Sequence, residues 1–265
     1  MADMKKNILL TTLAAISVTL ASGLAESSAL AGTDILHFMV RESMTNSGVI
    51  PDATGRVDAK LVRQGHAFNQ KLDLKLEHLA TNATYHLSAL IGDDTNFTNV
   101  VEFTTDDQGA AQLHYRRLGA DGNHGLGHGK IALPTALSPL SDLRELDVVD
   151  GNAQTVLSAD LTAPDKLHYL VKRSLTNDGS ETNAAAALRI HSTTNSTQFR
   201  LLASGLEPAA NYSVVVNGGI DQTAAADADG KLNITNLALP IDILDVRTLA
   251  LWNSASNSVL STHLP

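Results

Sequence analysis

Leu36-His37-Phe38-Met39-Val40-Arg41 returns 131 residues later as Leu167-His168-Tyr169-Leu170-Val171-Lys172. One unit is therefore written twice in a chain of 265 residues. Where the offset between matched positions changes, residues have been inserted, and insertions fall in loops. Ser43, Thr45, Asn46 and Gly48 match Ser174, Thr176, Asn177 and Gly179 at the same offset. The first copy then gains four residues, so that Leu72, Leu74, Leu79 and Tyr85 face Phe199, Leu201, Leu206 and Tyr212. Asp106 and Gly109 match Asp227 and Gly230 at 121, whereas Asp142, Arg144, Leu146 and Val148 match Asp245, Arg247, Leu249 and Leu251 at 103. The fall from 121 to 103 gives the first copy eighteen more residues between about Tyr115 and Leu137.

Gln70-Lys71-Leu72-Asp73-Leu74-Lys75-Leu76-Glu77 alternates leucine with charge, the two-residue period of a strand whose one face is in the core. Leu72, Leu74 and Leu76 are the predicted core side. Tyr85-Leu87-Ala89, Leu146-Val148, Tyr212-Val214-Val216 and Leu249-Leu251 repeat the pattern. Between them stand turn-formers such as Asp106-Asp107-Gln108-Gly109 and Asp227-Ala228-Asp229-Gly230. No amphipathic helix stands out, and Pro134 and Pro139 limit Thr135 to Leu143 to a short helical turn. The pattern predicts an all-β chain of two tandem homologous antiparallel β-sandwiches. Their spans are 32–163, with a His/Gly-rich insertion near 116–136, and 164–265. The linker Thr162-Ala163-Pro164-Asp165-Lys166 is too short for free swivelling, so the copies are expected to touch.

The segment Leu202-Ala203-Ser204-Gly205-Leu206-Glu207-Pro208-Ala209-Ala210-Asn211-Tyr212-Ser213-Val214-Val215-Val216 resembles the L-x-x-G-L-x-P-x-x-x-Y-x-V-x-V stretch of fibronectin type III and related immunoglobulin-like domains. The first copy keeps Leu79 and Tyr85 but has His78 for the glycine and Thr81 for the proline. The resemblance covers about fifteen residues per copy. It implies Greek-key sandwiches in which Tyr85 and Tyr212 form a tyrosine corner, each hydroxyl bonded to upstream backbone. It further implies use in adhesion, spacing or display.

At the N-terminus, Lys5 and Lys6 precede an apolar run from Ile8 to Leu24, and Ala29-Leu30-Ala31 offers a small-residue cleavage site. Residues 1–31 read as an export signal, with cleavage after Ala31 or after Ala25. The mature protein is then expected to be extracellular, on the cell surface or periplasmic, without a membrane span. The chain has no Cys, so the fold does not rest on disulfides. Formal net charge is −9, and it stays so without the leader because Lys5 and Lys6 balance Asp3 and Glu26. That balance argues against nucleic acid and against anionic membrane surfaces as partners.

No G-x-S-x-G, H-E-x-x-H, phosphate-cradling or dinucleotide-binding glycine motif occurs. No catalytic residue is assigned, and the protein is expected not to be an enzyme; an exported hydrolase is the distant alternative. Asp93-Asp94, Asp106-Asp107 and Asp227-Ala228-Asp229-Gly230 read as turn caps rather than calcium loops, which need six to eight oxygen ligands. Residues kept in both copies point to scaffold: His37 with His168, as imidazoles bonded to backbone, and Arg144 with Arg247, beside Asp142 and Asp245, as strand-end ion pairs or as stems lying over the sandwich edge. The insertion differs. Gly122-Asn123-His124-Gly125-Leu126-Gly127-His128-Gly129 brings His124 and His128 within reach of one ion, and His114 sits on the preceding strand. These three form the candidate metal site, with zinc or copper as the ion.

The sequence therefore predicts an exported, non-enzymatic tandem sandwich with a structural, surface, adhesion or assembly role. Its partners are expected to be proteins or copies of itself, reached through open strand edges.

Overall fold

The structure is a computed structural model, describing residues 34–264 apart from His66, 119–130, Asn236, Ala238, Pro240 and Ile241. It is all-β, as the alternation predicts. The first copy supplies β1 (Ile35–Ser43), β2 (Thr45–Asn46), β3 (Thr54–Gln64), β4 (Ala67–Glu77), β5 (Thr84–Ile91), β6 (Thr98–Thr104), β7 (Ala111–Leu118), β8 (Ile131–Ala132), β9 (Leu143–Val149) and β10 (Thr155–Asp160). The second supplies β11 (Lys166–Asn177), β12 (Ala185–Thr193), β13 (Ser196–Ser204), β14 (Asn211–Val216), β15 (Gly219–Ala225), β16 (Leu232–Thr235), β17 (Thr248–Asn253) and β18 (Ser258–His263). The expected helical turn is present as two 3-10 turns, Thr135–Leu137 and Leu140–Asp142.

Each copy has two layers. In the first, β1-β3-β4-β7-β8 lies against β2-β10-β9-β5-β6; in the second, β11-β12-β13-β16 lies against β15-β14-β17-β18, to which the far end of β11 adds Thr176 and Asn177. Described pairings are antiparallel except for the short β7–β8 contact. Alternate residues fill the interior: Leu72 and Leu76 are fully buried, and Tyr85, Tyr115, Tyr169 and Tyr212 are the largest buried side chains. Each such leucine contributes roughly 1.5–3 kcal/mol. Both corner tyrosines are bonded as the resemblance implied. The Tyr85 hydroxyl accepts from the Ala80 N–H at 3.0 Å, and the Tyr212 hydroxyl accepts from the Glu207 N–H at 2.9 Å while donating to Glu181 at 2.6 Å.

The copies are joined by the repeated strand itself. β1 pairs antiparallel with β11, and the register sets Phe38 opposite Tyr169, its own counterpart in the repeat, with Leu36 opposite Val171 and Val40 opposite Leu167. A local two-fold axis therefore passes through the Phe38–Tyr169 pair. Because the axis stands normal to the sheet, both second layers lie on the same side, and the buried residues of the two copies form one cluster. Over the axis the matched ion pairs exchange partners. Arg144 reaches Asp245 at 2.7 Å and Arg247 reaches Asp142 at 3.8 Å, so each ion pair crosses to the other copy. The linker is held too: Asp165 donates its N–H to Glu42, and its carboxylate accepts from the Ser43 N–H.

Candidate functional site

Of the three proposed metal ligands, His124 and His128 lie outside the described residues. His114 stands on β7, opposite Asp73 of β4. Its Nδ1 is 3.1 Å from Asp73 Oδ1, the same oxygen that accepts from Arg116 at 2.8 Å, while Lys71 pairs with the other oxygen. Burial pushes the Asp73 carboxyl up, but hydrogen bonds from Lys71, Arg116 and His114 outweigh it and hold the group below its usual range. Among the described residues no three His or carboxylate side chains converge as an ion site. Two of the acidic turns are capped as expected: Asp106 accepts from the N–H groups of Gln108 and Ala110, and Asp227 from those of Asp229 and Lys231, whereas among the described residues neither Asp93 nor Asp94 caps its turn with its side chain.

His37 and His168 do not have the predicted role. Among the described residues neither imidazole is hydrogen-bonded; both face outward from the shared sheet, where His168 meets His191 edge-on at 5.3 Å. Burial lowers the pKa of His168, and the proximity of His191 and His37 lowers it further.

These histidines belong to a larger surface. With both second layers on one side, the other side of β7-β4-β3-β1-β11-β12-β13 is one continuous outward face. The alternation that buries leucines sends charge to this side. β3 presents Arg56, Asp58 and Lys60, β4 presents Lys71, Asp73, Lys75 and Glu77, and β7 presents Arg116. β1 adds Arg41, β11 adds Lys166 and Lys172, β12 adds Arg189 and β13 adds Arg200. The face carries ten Lys and Arg against three carboxylates, a formal +7 on a protein of −9. Lys60, Lys166, Lys172 and Arg189 make no ion pair among the described residues. Whole-chain charge concealed this segregation; strand parity along the repeat would have shown it.

Each copy also has a cavity at one end of its sandwich, and the two cavities occupy matched places. The first, about 490 Å³, is lined by Leu36, Leu61, Arg63, Phe68, Gln70 and Pro139, with Arg117 and Ser138 beside them. The second, about 540 Å³, is lined at the corresponding positions by Leu167, Ser192, Thr194, Asn195, Thr197 and Asp242. Gln70 sets the wall of the first: only 3 % exposed, it donates to Ser138 Oγ at 2.7 Å and accepts from the Leu140 N–H at 2.8 Å. Arg117 lies over the Phe68 ring, 5.7 Å from its centre. In the second copy Thr197 instead bonds Ser192 at 2.7 Å.

No protein-family model matches the chain, and no curated protein matches it.

Proposed function

We propose that this is an exported, non-enzymatic β-sandwich scaffold whose shared sheet adheres, by its outward face, to a linear acidic polysaccharide. The observation that carries the reading is the charge segregation: +7 gathered on one face leaves −16 for the rest of the chain. β1 and β11, which would be open edges if the copies stood apart, are paired with each other. The face is the larger free surface. Adjacent strands rotate by about 20–25°, so a sheet of this width is a saddle whose concave diagonal suits a chain better than a planar membrane. Seven strands at about 4.8 Å span roughly 29 Å, over which duplex DNA presents about seventeen phosphates. That density exceeds the face's charge and leaves the excess against an acidic body, whereas a sparsely carboxylated polymer matches it. Among its described residues the face has no Phe, Tyr or Trp on which bases would stack. The bonded corner tyrosines support kinship with immunoglobulin-like sandwiches. The export leader supports a location where such polymers are met.

The test is affinity electrophoresis through gels containing polygalacturonate, compared with neutral dextran. Retardation by polygalacturonate that fades with added salt is expected, and the triple variant Lys60→Glu, Lys172→Glu, Arg189→Glu should lose it while unfolding at the parent's temperature. Equal retardation of parent and triple variant would sink the reading, as would tighter binding to duplex DNA or to anionic vesicles.

A further inference from the structure

Of the three places where the first copy is longer than the second, the four-residue and the eighteen-residue gains border one cavity, while a six-residue gain between Tyr85 and Asp106 lies away from it. The four-residue gain lies in the β3–β4 hairpin, because the repeat offset is 131 on β3 and β12 but 127 on β4 and β13. That hairpin brings Arg63, Gly65 and Phe68 to the cavity wall. The eighteen-residue gain follows β7, whose Arg117 lines the same wall, and is followed in turn by Ser138 and Pro139, which close it. At the matched positions of the second copy Thr194 stands for Arg63, Asn195 for Phe68, Thr197 for Gln70 and Asp242 for Pro139, while Leu167 keeps the place of Leu36. The shared fold thus builds a cavity in both copies, and among the described residues only the first lines it with arginine and an aromatic ring.

We infer that the end cavity of the first copy is a binding site for a small organic anion, its acid group held between Arg63 and Arg117 and its apolar part against Phe68, Leu36 and Leu61. A volume of about 490 Å³ is that of a small-ligand cleft, apolar with a few placed polar groups. Neither guanidinium makes an ion pair among the described residues, so each has donors to offer a carboxylate. The Arg117 guanidinium lies over the Phe68 ring at 5.7 Å, within cation–π range, which favours this orientation at the cavity wall. On an acidic protein, a small anion is repelled from most of the surface; two guanidiniums lining one cavity reverse that locally. Buried Gln70, bonded to Ser138 and Leu140, keeps the wall in place without ligand.

Isothermal titration with 4-phenylbutanoate and with its uncharged analogue 4-phenylbutanol tests this. The acid should bind at one site per chain and the alcohol about tenfold more weakly or worse, a difference of roughly one charge-assisted contact. Arg63→Gln and Arg117→Gln should each weaken the acid about fivefold or more while unfolding like the parent, since each removes one charged donor pair. Thr194→Ala, in the second cavity, should change nothing. No heat from the acid, equal affinity for acid and alcohol, or parent-like affinity in a variant carrying both Arg63→Gln and Arg117→Gln would overturn the assignment. The site is independent of the polymer-binding face: the triple variant at Lys60, Lys172 and Arg189 is expected to keep it.

Discussion

Gln70 is the clearest case of a single side chain holding distant segments. Its amide closes two hydrogen bonds to the Ser138–Leu140 segment, and replacing it leaves the buried Leu140 N–H without a partner. Gln70→Ala is expected to cost about 2–3 kcal/mol, read as a lowered urea midpoint at unchanged slope. Sequence periodicity placed Gln70 on the core side of β4 but could not say what satisfies it, because its partners lie nearly seventy residues away. Local roles were more legible. Asn46 donates to the Ile50 and Ala53 carbonyls, and Asn177 does the same to Glu181 and Ala184, which is why the repeat keeps both with their glycines. His78 also becomes intelligible: it replaces Gly205 at a position whose φ is positive in both copies, +61° and +71°.

Among elements, β1, β11 and β12 bring three histidines onto one face already rich in Lys60, Lys172 and Arg189. The pKa of His168 is lowered by partial burial and by its two histidine neighbours, so the unfolded chain takes up its proton first. Stability is therefore full above the free value of about 6.5 and is lost as pH falls from there through the folded value. Urea midpoints should decline with acidification across that window, and His168→Gln should flatten part of the decline. The exchanged ion pairs make a second prediction at this scale. In double-mutant cycles, Arg144 with Asp245 should couple by about 0.5–1 kcal/mol, because Asp245 is half exposed, and Arg247 with Asp142, at 3.8 Å, by less. Proximity in sequence could not supply the partners here. Asp142 and Arg144 are neighbours in the chain, yet which carboxylate each arginine meets depends on how the copies dock.

For the molecule as a whole, the repeat and the alternation disclosed two layers per copy, whereas the joining of the copies stayed hidden. Nothing in Leu36 to Arg41 says that this strand's partner is its own second occurrence. Summed charge likewise hid a cationic face inside an acidic total, since a sum discards position. The Phe38–Tyr169 axis has one more consequence. Pairing of a strand with its own copy is how symmetric homodimers close, and in a homodimer every substitution appears on both sides of the axis. Here Thr162–Asp165 ties the partners into one chain, so the interface forms without dependence on concentration, and its two halves need not stay identical. Arg63 and Thr194 occupy the same place under opposite chemical demands, an asymmetry that only a covalently joined pair can hold.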